Sequence, residues 1–445
     1  MLAAVRGCWA LFLGLSFIML GNGMQGTLIG IRMKLEGFET SITGLIGTGY
    51  FLGYLIGAII IPFFIRRVGH IRIFGALASL ASISILVHAV VIDPWVWFFM
   101  RLITGLAYAG LYVVCESWVN EASSNENRGK MMSVYMLVMM GSVTVATLAL
   151  NLGDPNSFEL FTLVSVMISL SVIPILTSVS PAPSFEQSEN ATVKMVYTVS
   201  PLGVVGMFLT NFGLGSAFML GAIYAANIGL SIQETTFMIT AYMGGTLISQ
   251  WPIGWLSDRL DRRKVLAGVA LASAVAAVGT TQFVEPGWQM YLAFLVLGGL
   301  SQPLYSLCIA HTNDYLNPAQ MVAASGTMVM IGGVGALLGP AIVGYTMEFW
   351  GDAFYLLTPG AAFTIIFVFA LYRMTQRASI PVAEQADHVM LSPNPLSAVL
   401  NPEVDVTEWQ PEEDDQPDTV EELFEEFFEP DEGDNGPSEE EEANS

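Results

Sequence analysis

The chain has 445 residues, of which 53% are hydrophobic and only 12% are charged. A soluble protein of this size carries about twice that charged fraction, so the composition excludes a soluble globular protein and indicates an integral membrane protein. The net charge of −23 reflects residues 401–445, which hold 20 of the 39 acidic residues and no Lys or Arg, leaving 19 acids against 16 bases elsewhere. The three cysteines have no metal-ligand spacing, so we expect neither disulfides nor a metal site.

Apolar stretches of roughly 20 residues recur along the chain, which is the length that crosses a hydrocarbon core of ~30 Å. They predict an all-α membrane protein with twelve transmembrane helices. A polar, proline-containing segment predicts a cytoplasmic linker at 179–198, between an N-terminal half (1–178) and a C-terminal half (199–376). The predicted helices cover residues 4–30, 40–64, 72–92, 95–118, 130–151, 158–178, 199–224, 234–256, 264–284, 288–310, 321–346 and 353–374.

A sequence repeat relates the two halves. At an offset of 192 residues it matches Gly37 to Gly229, Tyr50 to Tyr242 and Gly53 to Gly245. At an offset of 193 it matches Gly105 to Gly298, Tyr112 to Tyr305 and Cys115 to Cys308. One six-helix unit repeated in parallel is typical of transporters that work by alternating access.

The distribution of basic residues predicts the orientation, because Lys and Arg near helix ends favour the cytoplasmic side. With a cytoplasmic N-terminus, thirteen basic residues lie inside and two, Arg32 and Lys34, lie outside. We therefore expect a multi-pass protein of the bacterial inner (plasma) membrane with both termini in the cytoplasm. The first apolar stretch is too long for a cleaved signal peptide and is interpreted as a span.

Two basic loops occupy equivalent points of the repeat. The candidate gating residues of the second loop are Asp258, Arg259, Arg262 and Arg263, and those of the first are Arg66, Arg67 and Gly69. Charged pairs at helix ends could latch one state of a transporter, or the charges could only set the topology. Arg66 stands where the second loop has an acid, so Glu116 or Glu121 could supply the first loop's counter-charge.

Arg101 is the one basic residue predicted inside a span, about 10 Å past Pro94. An intramembrane charge normally faces a polar cavity or a partner. Tyr108 and Tyr112 follow Arg101 on the same helix face, and this stripe suits a small anionic or aromatic ligand. The alternative is that Arg101 snorkels outward to the lipid headgroups.

Other polar residues in the predicted spans are weaker candidates. Glu116, roughly 22 Å from Arg101 along the same helix, could exchange protons, although neutralisation of the basic loop is the interpretation we favour. Uncharged polar side chains in spans either line a cavity or join helices. The residues of this kind are Asn22, Gln25, Asn211, Gln302 and Tyr305.

The segment 377–445 is acidic and lacks apolar periodicity, which predicts a disordered cytoplasmic tail. Residues 420–428 contain Leu and Phe pairs at i,i+4 spacing and could dock as a short amphipathic helix on the basic inner loops, or remain solvated. Because no phosphate loop, nucleophile–base pair or metal cluster is evident, we expect a non-enzymatic protein without cofactors or nucleic-acid partners.

Several strings resemble the major facilitator superfamily. GWLSDRLDRRK resembles its loop signature GxxxDRxGRR, with Asp261 replacing the second glycine, and Arg101-x-x-Thr104-Gly105 resembles its fourth-helix signature RxxQG. GYFLGYLIG, IRRVGHIR, ESWVNE, QWPIGWLSDRLDRRKVL and AHTND are similar to its bacterial YcaD-like branch.

The resemblance implies a fold of two pseudo-symmetric six-helix halves and a secondary transporter that moves a small molecule by alternating access. Protons are the expected coupling ion. In that family the loop signature latches the outward-open state, and the fourth-helix signature is linked to proton coupling. The alternatives are a sensor that signals through its acidic tail and a channel.

Overall fold

The computed structural model describes residues 9–121, 128–177 and 191–376, which belong to one compact unit. Within these ranges the chain forms fifteen α-helices, with a 3-10 turn at Leu150–Leu152. The helices are α1 Trp9–Leu35, α2 Thr40–Val68, α3 His70–Val90, α4 Pro94–Glu121, α5 Arg128–Ala149, α6 Phe158–Leu170, α7 Val172–Thr177, α8 Val193–Val199, α9 Pro201–Asn227, α10 Ile232–Ser257, α11 Arg262–Thr280, α12 Trp288–Ser301, α13 Leu304–Asn313, α14 Pro318–Trp350 and α15 Phe354–Gln376.

Eleven segments of the described chain are long and apolar enough to cross a membrane, with α6–α7 and α12–α13 each forming one of them. The helix α10 is not among the eleven, although it has 26 residues and packs along α12. With α10 the described chain has twelve helical elements of this length, six before the segment 179–198 and six after it. The predicted all-α fold of two six-helix halves is therefore confirmed.

Several helices extend beyond their predicted ends because local capping, and not bilayer thickness, stops them. Helix α1 continues to Leu35 and ends at Gly37, whose φ is 76°; α9 ends at Gly229, whose φ is 85°. In both cases the next amide, that of Phe38 or Leu230, bonds to a carbonyl five residues back at 3.0 Å. This is the Schellman arrangement, and the repeat has kept it in both halves.

The repeated glycines mark two equivalent helix crossings. A Cβ atom on Gly53 of α2 would lie 1.9 Å from the carbonyl oxygen of Leu102 on α4. A Cβ atom on Gly245 of α10 would lie 1.8 Å from the carbonyl oxygen of Leu295 on α12. Only glycine lets the two backbones approach so closely, which explains why the repeat is most visible at these positions.

We call the two ends of the bundle the basic end, which carries Arg66 and Arg262, and the glycine end, which carries Gly37, Gly229 and Gly351. The halves meet along α2–α14, α1–α9 and α5–α10, of which α2–α14 is the most extensive. Hydrogen bonds join the halves toward the glycine end, from Thr48 Oγ1 to Leu337 O (3.0 Å), Thr40 N to Glu348 Oε2 (2.8 Å) and Asn151 Nδ2 to Thr236 Oγ1 (2.9 Å).

The short helix α8 lies within the predicted linker and contacts the second half. Thr192 caps its start by accepting a hydrogen bond from the Met195 amide. The Ala191 amide bonds to Ala323 O of α14 at 3.2 Å, and Thr327 Oγ1 donates to Ala191 O. The linker therefore approaches the second half against the basic end of α14.

Candidate functional site

A cavity lies between the two halves, with an empty volume of about 640 Å³ when its open mouth is included. Because this volume includes the open mouth, the cavity is a partly open cleft and not an enclosed pocket. The first half supplies four of the fifteen lining residues and the second half supplies eleven. The lining residues are Gly23, Thr27, Val143 and Thr147 from the first half and Leu214, Ala217, Phe218, Ala222, Met238, Ile239, Tyr242, Met243, Phe294, Gln302 and Tyr355 from the second.

None of the fifteen lining residues carries a formal charge. Two of the polar side chains are already bonded within the protein: the Tyr242 hydroxyl lies 3.1 Å from Ser301 Oγ, and Thr147 Oγ1 donates to Val143 O at 3.0 Å. The side-chain amide of Gln302 has no hydrogen-bond partner within the described ranges. The cavity thus offers aromatic and apolar surface, with the Gln302 amide and the Thr27 hydroxyl available to a ligand.

The helix that carries Gln302 is kinked beside this residue. Helix α12 ends at Ser301 and α13 begins at Leu304, but Gln302 and Pro303 keep right-handed helical dihedral angles. Pro303 has no N–H, so the Gly299 carbonyl loses the donor that a regular helix would supply. Gln302 therefore lies at a proline kink in the cavity wall.

Arg101 lies inside the protein, at 3% exposure, and does not reach toward the headgroups. Its guanidinium carbon is 4.6 Å from the centre of the Tyr50 ring, and Nη2 lies 3.0 Å from Met219 Sδ on α9 of the other half. No carboxylate of a described residue lies within 4.0 Å of it. A π face and a thioether therefore surround this charge, and the thioether contact crosses the interface between the halves.

The tyrosines beside Arg101 form a continuous group, which we call the Arg101 cluster: Arg101, Asn22, Tyr50, Tyr54, Tyr108 and Tyr112. The Tyr54 and Tyr112 rings are 6.2 Å apart, and those of Tyr108 and Tyr112 are 6.3 Å apart. Asn22 Nδ2 donates to the Tyr112 hydroxyl at 2.9 Å. The structure thus brings together Arg101, Tyr108 and Tyr112, which the sequence placed on one helix face, and it adds Asn22, which the sequence gave as a separate candidate.

The Arg101 cluster and the cavity are adjacent but separate. Phe218 lines the cavity, and its ring centre is 6.3 Å from that of Tyr50. Tyr50 in turn lies against the Arg101 guanidinium. Two aromatic rings therefore stand between the charge and the cavity, and among the nine predicted cavity or coupling residues Gln302 is the one that lines this cavity.

Three further predicted residues lie apart from the cavity lining. The Asn211 amide bonds within its own helix, to Met207 O at 2.9 Å. Gln25 is fully buried, and within the described ranges neither atom of its amide has a hydrogen-bond partner; the same is true of the Tyr305 hydroxyl. Buried polar atoms without partners are costly and mark places where another conformation or a ligand supplies the bond.

Glu116 is fully buried near the basic end of α4, where Tyr135 donates a hydrogen bond to its Oε1 at 3.0 Å. Tyr54, Tyr112 and Tyr305 lie within its electrostatic range. This carboxylate therefore lies among phenols on both sides of the interface between the halves. The side chain of Glu121, the other carboxylate considered for the first basic loop, lies outside the described residues.

The second basic loop forms a buried charge network within the second half. Arg262, 1% exposed, forms ion pairs with Asp258 Oδ1 at 3.1 Å and with Asp314 Oδ1, and it donates to Ala310 O at 3.0 Å. It therefore links the ends of α10, α11 and α13. Asp261 caps α11 and pairs with Arg263 at 3.2 Å. Arg259 lies 4.1 Å over the Trp255 ring.

The first basic loop has a different arrangement. Gly69, with φ 89°, ends α2, and its amide bonds to Ile65 O at 2.8 Å. Arg66 is exposed, and Arg67 lies 4.5 Å over the Phe63 ring. Phe63 and Arg67 correspond to Trp255 and Arg259 at the offset of 192, so both halves keep a cation–π pair although the charge network differs.

Sequence reasoning missed Asp314, Tyr50, Tyr54 and Met219. Asp314 follows the predicted tenth helix, and its match to Glu121 in the repeat (314 − 121 = 193) was the signal that pointed to it. Tyr50 was noticed only as a repeated position. No sequence signal pairs Met219 with Arg101, because that contact depends on how the two halves pack.

The family model of the Major Facilitator Superfamily matches residues 11–225 and 203–411. The chain is 24% identical over 383 residues to the uncharacterized MFS-type transporter YcaD of Escherichia fergusonii, with 85% of this chain and 98% of the relative covered. It is also 24% identical over 375 residues to the Salmonella arizonae protein of the same name, with 84% and 97% covered.

Solved structures show the same fold. The nucleoside transporter NupG has a TM-score of 0.67 at 15% identity, covering 83% of this chain and 99% of its own. An inward-facing bacterial homologue of Spinster has a TM-score of 0.64 at 14% identity, covering 81% and 94%. FucP in the outward conformation has a TM-score of 0.53 at 15% identity, covering 82% and 98%.

The chain belongs to the Major Facilitator Superfamily and is a multi-pass membrane transporter of the secondary type. The similarity to the YcaD transporters that the sequence motifs suggested is confirmed.

Proposed function

We propose that this protein moves a small molecule across the bacterial inner membrane by alternating access, driven by protons, with both termini in the cytoplasm. The observation that carries the proposal is the uncharged cavity between two repeated halves, beside an interface that is tightly packed toward the glycine end. A cavity between two rigid halves changes the side it faces when the halves rock about it.

The glycine end is closed by backbone contact between α2 and α14. A Cβ atom on Gly44 would lie 2.2 Å from Pro340 O, and one on Gly344 would lie 2.9 Å from Thr40 O. Small residues let the two helices touch without interlocking long side chains. Such an interface can separate and close again with little rearrangement, as a gate on the outer side requires.

Arg101 and Glu116 are the residues proposed for coupling. The Arg101–Met219 contact joins the halves through a thioether, which is a weak acceptor and is easily exchanged when the halves move. Glu116, buried among phenols near the basic end, is the proposed proton-carrying carboxylate. A Glu116→Gln protein in proteoliposomes should lose proton uptake on addition of a cell metabolite extract, as reported by an entrapped pH dye.

Cysteine accessibility tests the proposed gate without knowledge of the substrate. Thr48 donates to Leu337 O across the α2–α14 interface, so a Thr48→Cys reporter is buried there when the glycine end is closed. Cys115 and Cys308 are buried, and Cys8 is replaced by Ser to leave one reactive thiol. Adding Gly44→Ala should force the interface apart and raise labelling of intact cells by an impermeant maleimide at least fivefold.

The matched control is Gly141→Ala, since nothing lies within 4 Å of a Cβ atom at that position. It should leave the labelling of the Thr48→Cys reporter unchanged. Equal labelling of the Gly44→Ala and Gly141→Ala proteins would contradict the gate. Labelling that appears only when the reagent reaches the cytoplasmic face would reverse the proposed orientation.

The acidic tail, residues 377–445, lies outside the described residues, and we propose that its segment 420–428 docks on the basic end. Exposed cations there include Arg67, Arg72, Arg259 and Lys264. Deleting 377–445 should increase maleimide labelling of a Lys264→Cys reporter, while a Lys34→Cys reporter at the glycine end should not change. An unchanged Lys264→Cys reporter would contradict docking, and loss of all transport in the truncated protein would favour the sensor alternative.

A further inference from the structure

We infer that the cavity binds an uncharged molecule with a planar aromatic ring, held mainly by the second half. This inference rests on the proposed transport function, because the bound molecule would be the transported substrate. It concerns the chemistry of the site, which the gate experiment does not address.

The uncharged lining of the cavity disfavours anionic and cationic ligands. The cavity lining contains no acid and no base, and Arg101 lies behind the Phe218 and Tyr50 rings. A carboxylate or ammonium group placed in this cavity would lose its hydration without gaining a counter-ion, which is strongly unfavourable. An uncharged ligand has no such penalty.

The shape of the lining favours a flat ring. Phe218, Tyr242, Phe294 and Tyr355 are aromatic, and Met238 and Met243 add polarizable thioethers. The Tyr355 ring is fixed by stacking on Tyr224 at 4.5 Å, so its position is set before a ligand arrives. Aromatic faces and edges hold a planar ring in offset or edge-on contacts that a saturated ring cannot make equally well.

Gln302 would set the orientation of a bound ligand. Its amide offers one acceptor and two donors, lies at the proline kink, and has no partner among the described residues. The Thr27 hydroxyl, also in the lining, offers a second polar contact. A ligand with a neutral polar group on its ring, such as a carboxamide or a ring nitrogen beside a donor, would complete the bonds of Gln302. Aromatic walls therefore select the ring, and the Gln302 amide orients it.

Four related small molecules test the inferred ligand class directly on the full-length protein in nanodiscs. Benzamide is neutral and aromatic, benzoate is its anionic counterpart, benzylamine is cationic, and cyclohexanecarboxamide is neutral but not planar. Binding is measured by saturation-transfer NMR titration. We expect benzamide to bind at least tenfold more tightly than each of the other three.

Two variants locate the site. Gln302→Leu removes the amide at similar volume and should weaken benzamide binding about tenfold, and Ala217→Leu should fill part of the cavity and abolish binding. Gln250→Leu is the matched control, because Gln250 bonds to Ser306 at 2.8 Å and is not part of the lining. That protein should bind benzamide as the parent does.

Each result decides the inference. Equal binding of benzoate or benzylamine would overturn the uncharged class, and equal binding of cyclohexanecarboxamide would overturn the aromatic one. Benzamide binding that survives both Gln302→Leu and Ala217→Leu, or no binding by any probe, would overturn the site. If the probes behave as expected while labelling of the Thr48→Cys reporter does not respond to Gly44→Ala, the ligand class stands and the transport proposal fails.

Discussion

The Arg101 cluster and the cavity wall occupy equivalent positions in the two halves, yet one is filled and charged and the other is open and neutral. At the offset of 193, Arg101 corresponds to Phe294 (294 − 101 = 193) and Tyr108 to Ser301; at 192, Tyr50 corresponds to Tyr242. In the first half Tyr50 covers a guanidinium. In the second, Tyr242 and Phe294 line the cavity.

The difference teaches that the repeat has fixed the backbones and left the side chains free to diverge. Gly53 and Gly245 make nearly identical backbone contacts, at 1.9 and 1.8 Å for a Cβ atom. Around that common crossing, Gln25 in the first half corresponds to Ala217 in the second (217 − 25 = 192), and the smaller residue lines the cavity. We therefore propose that one half serves coupling and the other ligand binding.

The largest expected effect is a loss of thermal stability when the charge network of the second basic loop is broken. Arg262→Ala removes the cation from a buried network in which it pairs with Asp258 and with Asp314, whose side chain is 3% exposed. Breaking a buried ion pair from one side costs about 3–5 kcal/mol. The variant should melt far below the parent protein in detergent, as measured by intrinsic fluorescence.

Arg259→Ala is the matched control in the same loop, because Arg259 is exposed and contacts only the Trp255 ring in the interactions described. Its melting temperature should be close to that of the parent. If Arg262→Ala and Arg259→Ala melt at the same temperature, the charge network of the second loop does not stabilise the protein. The two basic loops would then not differ in this respect.

A smaller loss of stability, equal in both halves, should follow from Ala substitutions at the two glycine crossings. Gly53→Ala and Gly245→Ala each place a methyl group within 2 Å of a backbone carbonyl, where no flexible side chain can move aside. Overpacking of this kind costs about 1–3 kcal/mol or more. Both variants should lose thermal stability in detergent by similar amounts.

Gly244→Ala, one residue away in α10, is the control, since nothing lies within 4 Å of a Cβ atom there. A helix interior gains up to about 1 kcal/mol from Ala in place of Gly, so this variant should be as stable as the parent or more stable. Unequal losses at Gly53 and Gly245 would show that the two crossings are not equivalent.

The sequence predicted the architecture well because hydrophobic length and the repeated glycines are local signals. It predicted helix ends less well, since residues such as Gly37 stop a helix by their φ angle and not by leaving the bilayer. It also placed Arg101, Tyr108 and Tyr112 on one helix face, for which helix periodicity is the physical reason, but it did not connect Asn22 with them.

The cavity itself could not be predicted. Its lining depends on which side chains are small where the halves meet, and Ala217, Ala222 and Gly23 have no distinctive pattern in the sequence. Gln302 was one of several amides, and only the neighbouring Pro303, which kinks the helix, sets it apart. The Arg101–Met219 contact joins residues 118 positions apart on different halves, and no spacing rule connects them.

Arg101→Met should raise the thermal stability modestly. The buried guanidinium lies against a ring face and a thioether, and a buried charge without a counter-ion has a desolvation cost that an apolar residue of similar length does not have. The variant should therefore melt higher than the parent while losing proton-coupled uptake.

Benzamide binding tests whether the Arg101 cluster and the cavity have separate roles. Because two rings lie between Arg101 and the cavity, Arg101→Met should bind benzamide with unchanged affinity, whereas Phe294→Arg, which places the first half's residue in the second, should abolish binding. Loss of benzamide binding in Arg101→Met would merge the Arg101 cluster and the cavity into one site.

The smallest expected effect concerns the cation–π pairs that both basic loops keep. Phe63→Leu and Trp255→Leu each remove the ring beneath an arginine, at 4.5 and 4.1 Å respectively. An exposed pair such as Arg259–Trp255 is worth about 0.5–1 kcal/mol, so Trp255→Leu should lose little stability. Phe63 is buried, so Phe63→Leu should lose more, because it also removes packed surface. Trp251→Leu, an exposed tryptophan of α10 without a described cation partner, measures the loss from the ring alone. If Trp255→Leu and Trp251→Leu melt at the same temperature, the Arg259–Trp255 pair contributes nothing to stability. If Trp255→Leu melts lower, the second half has a stabilising cation–π contact at this loop in addition to its charge network.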